Sequence, residues 1–324
     1  MVNEMDKIIE RIEHEAGMPG LASILAERLS PTDLQSLLLE VYRLRSSRTQ
    51  PSAVLSDFET NRFVRPSPVS PTTLVRWEQI AFDYLPPEFQ PLALAPVCPL
   101  GTNSAIAPID QNWAVATARN TEVVSDSTNV LALECALRRR ELLRANPKSS
   151  GTVHLAASHR LLRAQRYEGP MFFSHFSTFV LSSASRDQGT LRFELAALRL
   201  HIRFYLTSLR AFLGIEVPLR LLVTDFSTNN HVELIEDQLL SLLRSEFIDV
   251  ECGFDENRTS GRGYYLGLCF HIYALATASQ WLELVDGGSV NWTQKLLSNA
   301  KERLVISGIG SERLCLEFGY GKSD

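Results

Sequence analysis

Glycine and arginine sit together near the end of this sequence in a pattern that suits phosphate chemistry. Gly308-Ile309-Gly310-Ser311-Glu312-Arg313-Leu314 reads as a glycine-rich corner between a strand and a helix, ending on a fixed charge able to grip a phosphate. Gly261-Arg262-Gly263-Tyr264-Tyr265-Leu266-Gly267-Leu268-Cys269-Phe270 reads as a glycine-bounded strand. Its two tyrosines should point to opposite faces, so that one of them can line a pocket. Between these stretches, Asp286-Gly287-Gly288 marks a place where backbone must approach another group closely. Taken singly, each stretch is equally the signature of a turn beside a core strand. The seven histidines show no ligand spacing, and His175, His231 and His271 read as structural or surface residues. Five cysteines (Cys98, Cys135, Cys252, Cys269, Cys315) lie far apart without a C-x-x-C pair, which argues for reduced thiols and against a zinc site or disulfide frame.

The elements that must position these groups follow from patterning. The 324 residues, 45% hydrophobic, can bury one large core or somewhat more. A net charge of −5 and a pI near 5.9 leave no electrostatic footprint for nucleic acid. The apolar runs are too short to span a bilayer and the charged N-terminus is not a signal peptide, so a cytoplasmic protein is expected. Residues 1–50 read as a helical module: Ser30, Pro31 and Asp33 form a helix start, and Leu34, Leu37, Leu38 and Val41 share one face. Residues 51–71, with prolines at 51, 66, 68 and 71, read as a linker before a main domain at 72–324. There the pattern predicts a helix over 73–84 carrying Trp77 and a strand over 89–96. Strands follow over 113–119, 153–163, 172–182, 219–223, 264–272 and 281–286, with helices over 131–143, 192–213 and 232–245.

In their order, the three glycine-bearing stretches resemble the catalytic domain of the class II aminoacyl-tRNA synthetases, most closely that of histidyl-tRNA synthetases. Residues 308–314 are similar to the third signature motif of that class, and 263–270 to the R-G-L-D-Y-Y-T-G-x-x-F segment of the histidine enzymes. The resemblance runs from Pro71 to the last residue. It implies an α+β fold with a mixed, mostly antiparallel sheet flanked by helices, with ATP and Mg2+ as ligands. It also implies a homodimer, joined through the segment around Trp77 to Pro96, which looks like the first motif of the class.

Residue by residue, the resemblance implies that Arg163 contacts the α-phosphate, with Arg160 as the alternative, and that Gln165 stands where a glutamate is usual. Phe176 or Phe179 would stack on adenine, and Glu312 with Arg313 would complete the nucleotide site. Asp126 and Thr128 match the acidic residue and threonine of R-P-E-G-T, which hold a substrate ammonium group. Thr178, Ser182, Tyr265, Gly287 and Gly288 would line the substrate pocket, and Glu194 or Glu312 would hold the metal.

Departures from the pattern narrow the reading. Thr178 and Ser182 replace a glutamine and a glutamate, a loss worth about 1–3 kcal/mol per unmatched buried polar group, so the pocket should not select histidine. The arginine of R-G-L-D-Y-Y maps to Ser260, with Arg258 and Arg262 nearby, and the aspartate maps to Gly263. The interval before Gly261 leaves no room for the helical insertion of the histidine enzymes. Only about ten residues follow Arg313, too few for an anticodon-binding domain. With the acidic pI, these absences argue against a tRNA substrate. The expected activity is ATP-dependent adenylation of an amino acid or related carboxylate for a non-tRNA acceptor. The alternative is a catalytically silent ligand-sensing paralogue, like the regulatory subunit of ATP phosphoribosyltransferase. In either case the N-terminal helices could dock a protein acceptor or partner.

Overall fold

In the computed structural model, which describes residues 4–165, 173–229, 231–276 and 280–319, the chain before residue 61 is helical. α1 (Glu4–Ala16) stops at Gly17, whose φ of 63° glycine adopts without cost. α2 (Leu21–Ser23) runs into a π-turn over Ile24–Arg28, and α3 (Pro31–Ser46) follows. Ser30 caps α3: its Oγ accepts the Asp33 N–H at 3.1 Å and donates to the Asp33 carboxylate at 2.8 Å. α4 (Pro51–Thr60) occupies the first half of the stretch expected to be a linker. Pro51 is its first residue, where the missing N–H costs nothing, so this proline opens a helix instead of marking irregular chain.

α5 (Pro71–Asp83) buries Trp77, whose ring meets Phe212 edge-on at 5.6 Å and whose indole N–H donates to Ser311 Oγ at 3.0 Å. That tryptophan belongs to the chain's own core. The single strand expected over 89–96 is instead β1 (Gln90–Pro91) and β2 (Val97–Pro99); β1 ends on Pro91 and Pro96 stands before β2, and neither proline can donate to a ladder. α6 (Thr102–Ile106) leads to β3 (Thr121–Val123), which pairs with β2 outside the main sheet. Residues 113–119 do not form the expected strand of the main sheet. A 3₁₀ turn covers Gln111–Trp113, and only scattered bonds such as Val123 N–H to the Val115 carbonyl (2.9 Å) join the following residues to β3.

From there the expected order holds: α7 (Ser127–Ala145), β4 (Val153–Leu162), β5 (His175–Arg186), α8 (Arg192–Leu213) and β6 (Leu219–Asp225). α9 (Val232–Ile235) and α10 (Ser241–Glu246) are joined by a π-turn and precede β7 (Val250–Phe254) and β8 (Leu268–Leu275). β9 (Trp281–Val290), α11 (Trp292–Leu297), β10 (Glu302–Gly310) and α12 (Ser311–Phe318) complete it. The loop at 166–170 and the first residue of the strand expected from 172 lie outside the described residues.

Eight strands form one sheet in the order β1-β4-β5-β10-β9-β8-β6-β7, antiparallel except at β1/β4 and β6/β7. α8 packs Leu198, Ile202 and Leu209 on one face, and α7 covers part of the other with Leu131, Ala132 and Cys135. A buried ion pair pins α7 in place: Arg139 Nε donates to Glu302 on β10 at 2.7 Å and Nη2 at 3.0 Å, while Nη1 and Nη2 also donate to the Gly151 and Ser149 carbonyls. With all three guanidinium nitrogens and both carboxylate oxygens engaged, the pair holds α7 against β10. Among the described residues no helix is long and apolar enough to cross a membrane.

Candidate functional site

Strand alternation aims one set of side chains into a cavity of about 870 Å³ on the α7 face of the sheet. Leu161, Arg163 and Gln165 reach it from β4 and its extension, Phe176, Thr178 and Val180 from β5, and Asp286 from β9. The N-terminus of α7 closes one side. Asp126 caps that helix through Oδ1, which accepts the Thr128 N–H at 2.9 Å and the Thr128 hydroxyl at 2.7 Å, while Oδ2 lies 3.4 Å from Arg163 Nη2. Arg163 also donates from Nε to the Ser125 carbonyl at 2.8 Å, and its guanidinium sits 5.3 Å from the centre of the Phe176 ring. The side chain is thus held at its base while about a third of it stays open to the cavity. Arg313, from the first turn of α12, lines the same cavity and donates to the Glu283 carbonyl at 3.2 Å.

The opposite wall is built by the turn before β8. Gly261 and Gly263 have φ of 81° and 87°, and they fold the chain so that Tyr264 and Tyr265 both reach the cavity, edge-on with ring centres 5.0 Å apart. The expectation of a strand with tyrosines on opposite faces is corrected here, because β8 begins only at Leu268. Beneath Tyr265 lies Arg258, buried, donating to Asp286 at 3.0 Å and to the Ser260 carbonyl at 2.9 Å. His271 Nε2 is 3.3 Å from the same Asp286 oxygen. Burial alone would raise the Asp286 carboxyl, but the hydrogen bonds and charges of His271 and Arg258 outweigh it and hold the carboxyl below its ordinary range. Burial, with Asp286 and Tyr264 alongside, pushes the Tyr265 phenol well above its usual value, so this group serves as a neutral donor.

No protein-family model and no curated protein sequence matches the chain. Solved structures do. Over 77% of this chain and 67% of theirs, it superposes on apo histidyl-tRNA synthetase from S. aureus with a TM-score of 0.54 at 13% identity. An ATP phosphoribosyltransferase regulatory subunit/histidyl-tRNA synthetase from Bacillus halodurans gives 0.56 at 13% identity, over 78% of this chain and 82% of that one. Histidyl-tRNA synthetase from Nostoc sp. gives 0.53 at 12%, over 79% and 74%. The fold is that of a class II aminoacyl-tRNA synthetase core. At such identities the likeness speaks for the fold alone.

On this class II-like frame, Asp126, Thr128, Arg163, Gln165, Phe176, Thr178, Tyr265, Glu312 and Arg313 line one cavity. Phe179 does not. It points to the other face of β5, fully buried between Phe82 (5.1 Å) and Phe204 (5.3 Å), and cannot stack on a ligand. Ser182 is also fully buried, outside the cavity wall, with its hydroxyl unpartnered. Gly287 and Gly288 act on neighbouring rings instead of a ligand: a Cβ on Gly287 would come within 2.6 Å of Phe270, and one on Gly288 within 2.7 Å of Tyr265. Arg160 leaves β4 toward Glu312, to which it donates from Nη2, so the two arginines weighed for the phosphate face different partners.

Glu194 lies away from the cavity and pairs with Arg303 at 3.1 Å, an arginine also held by Asp187, which corrects its expected metal role. Glu312, the other acidic group considered, is taken up by Arg160 and by Ser67 Oγ at 2.7 Å. Among the described residues no three His, Cys, Asp or Glu side chains converge to hold a metal ion. These carboxylates do not fit a resident magnesium; such an ion fits only as part of a nucleotide substrate, carried by its phosphates. Arg258, Asp286, His271 and Tyr264 were not singled out as a group by sequence reasoning. The aspartate of the D-G-G triplet and the arginine near Ser260 were visible, but only the turn at Gly261 and Gly263 brings them together.

Proposed function

We propose that the cavity binds ATP with its magnesium and adenylates an amino acid or related carboxylate for an acceptor other than tRNA. The observation that carries this reading is the placement of Arg163 and Arg313, from elements far apart in sequence, on one cavity with Phe176 beside the first. In the reaction a substrate carboxylate oxygen attacks the α-phosphorus, the bond from that phosphorus to the bridging oxygen breaks, and pyrophosphate leaves. Such a step asks little covalent help of the protein; it needs two aligned reactants and stabilisation of the charge that builds on the phosphoryl oxygens. Arg163 supplies that charge from a held position, Arg313 grips the phosphates further out, and Asp126 receives an ammonium group. The acidic net charge and the short interval between α10 and Gly261, filled by β7, support a non-tRNA acceptor.

A specific observation favours a second reading, a ligand sensor without turnover. Arg163 already has an anionic partner in Asp126, and Asp286 is neutralised by Arg258. Exchange of labelled pyrophosphate into ATP, screened over amino acids and small carboxylic acids, separates the two. Adenylation gives exchange with at least one acid and little with histidine. Arg163→Ala should then lower the exchange rate by about two to three orders of magnitude, whereas Arg313→Ala should weaken ATP binding measured by calorimetry. Absence of ATP binding together with absence of exchange for every acid rejects adenylation. Tight binding of a small molecule without turnover points to the sensor.

A further inference from the structure

Residues 61–67 carry the chain from α4 across the ends of β4 and β5 to the start of α12, and they are bonded to all three. Arg62 Nη1 donates to Ser174 Oγ at 2.7 Å and lies 3.5 Å from the Gln165 carbonyl, while Nη2 donates to the Ala164 carbonyl. His175 Nε2 donates to the Arg65 carbonyl at 2.6 Å, and its Nδ1 accepts from Arg160 at 2.9 Å. Ser67 and Arg160 converge on Glu312, the residue before Arg313. The strap therefore touches the two elements that carry the cavity arginines.

The physical need for it lies at the end of β4. That strand has β1 on its outer side only opposite Leu155 and Ala156, so among the described residues no outer strand supports it beyond Leu162. The Arg163 N–H still donates to the Ser174 carbonyl at 2.7 Å and the Ala164 N–H to the Trp113 carbonyl at 2.8 Å, and the Ala164 carbonyl is met by Arg62. With one planar fork Arg62 ties the Ala164 carbonyl to Ser174 Oγ, bridging the end of β4 to the residue before β5 where an outer strand would otherwise have bonded. We infer that Arg62 is a positioning residue that fixes the backbone just after Arg163 against its cross-strand neighbour Ser174 and so aims the Arg163 guanidinium into the cavity. This role rests on the adenylation reading for its catalytic consequence, though not for its structural one.

The test compares full-length wild type with Arg62→Ala and Arg62→Lys by two readouts. Amide hydrogen exchange over 161–165 and 173–176 requires no nucleotide. Arg62→Ala should speed exchange there by about tenfold or more while distant strands such as β8 stay protected. Arg62→Lys, a point charge without the fork, should fall between. In the pyrophosphate exchange assay, Arg62→Ala should lower kcat by about tenfold or more with a smaller change in KM for ATP, because Arg313 is untouched. A general loss of structure would move KM, kcat and all amides together, and would overturn the positioning role if the lysine variant did the same. Wild-type protection at these amides in Arg62→Ala, or local loosening without loss of kcat, also overturns it. Local loosening in a protein whose wild type exchanges no pyrophosphate with any acid would reject adenylation and leave the backbone role standing.

Discussion

A strand's two-residue period decides which of Phe176 and Phe179 can meet a ligand. They lie three positions apart on β5, so they must face opposite sides; Phe176 shares a face with Thr178 and the cavity, and Phe179 shares one with the core under α8. That much was readable from residue numbers alone. Ser182 shows the other limit: its parity is right, but whether a residue lines a cavity or lies beneath a helix depends on what packs above it. The glycine pair in β9 had a legible purpose, close approach, and an illegible partner. A Cβ on Gly288 would sit 2.7 Å from Cys269 Cβ, the Leu268 carbonyl and Tyr265, none of which can retreat far in a packed sheet. Gly288→Ala should therefore destabilise the fold by about 1–3 kcal/mol and displace Tyr265 from the cavity wall. At Gly263, where φ is +87° and nothing lies within 4 Å, alanine meets only backbone strain, about 1–2 kcal/mol. Urea unfolding with tyrosine fluorescence distinguishes them: the Gly288 variant should lose stability with altered tyrosine emission in the native baseline, the Gly263 variant should keep its baseline. An unchanged midpoint for Gly288→Ala would mean the sheet opens more easily than its packing implies.

At the scale of elements, α8 is docked by a directed chain of hydrogen bonds that no sequence pattern announced. His154 Nδ1 lies 2.7 Å from Ser183 Oγ, which is 2.8 Å from His201 Nε2; His201 Nδ1 lies 2.7 Å from Ser307 Oγ, which donates to Tyr205 OH at 3.3 Å. One arrangement satisfies every link: His201 neutral with its proton on Nδ1, accepting from Ser183 and donating to Ser307. Helix, strands and their order were visible from apolar spacing, because burying one face is a local property of sequence. The polar chain was not, since its members come from β4, β5, α8 and β10 and only the packed sheet joins them. Burial, with His154 adding its charge, drives the His201 pKa down from the ordinary 6.5 to about 3. Between these values the unfolded chain binds a proton that the folded one refuses, so stability falls as pH falls, approaching about 1.4 kcal/mol per pH unit below 6.5. His154, also pushed down by burial, works in the same direction. The lowered carboxyls of Asp187 and Asp286 add the same sign only near pH 4 and below. The urea midpoint should drop steadily from pH 7 to pH 5, and His201→Gln, less stable at pH 7, should show a flatter profile across that window. Equal slopes for the two proteins would place the pH dependence elsewhere.

For the whole molecule, the first sixty residues differ from everything that follows. Every described member of the three core clusters lies at Val69 or beyond, and no described side chain of α1 to α4 is buried. The sequence showed a helical module over 1–50 and missed α4, reading its residues as linker; it could not show that the apolar side chains of these helices, including Ile8, Ile12, Leu37, Val41, Leu55 and Phe58, stay exposed in the folded chain. Stability of the sheet domain should then owe them little. Deleting residues 1–60 should shift Tm by less than about 4 °C, the size of a change near 1 kcal/mol for a domain of this length. Extending the deletion through residue 68 removes Arg62 and Ser67 and should loosen the end of β4 and the start of α12. The same pair of proteins bears on assembly. We propose a two-fold homodimer built through α5 and the β1 edge, where Val75, Phe82 and Tyr84 are exposed beside a strand of only two residues that caps the sheet. Trp77 takes no part in that surface, being buried at home. If this edge makes the dimer, the 1–60 deletion keeps a dimeric mass by light scattering at micromolar concentration. A full-length dimer that becomes monomeric on deletion would move the contact to the uncovered stripes of α1 to α4, and a monomer in both cases would remove the dimer altogether.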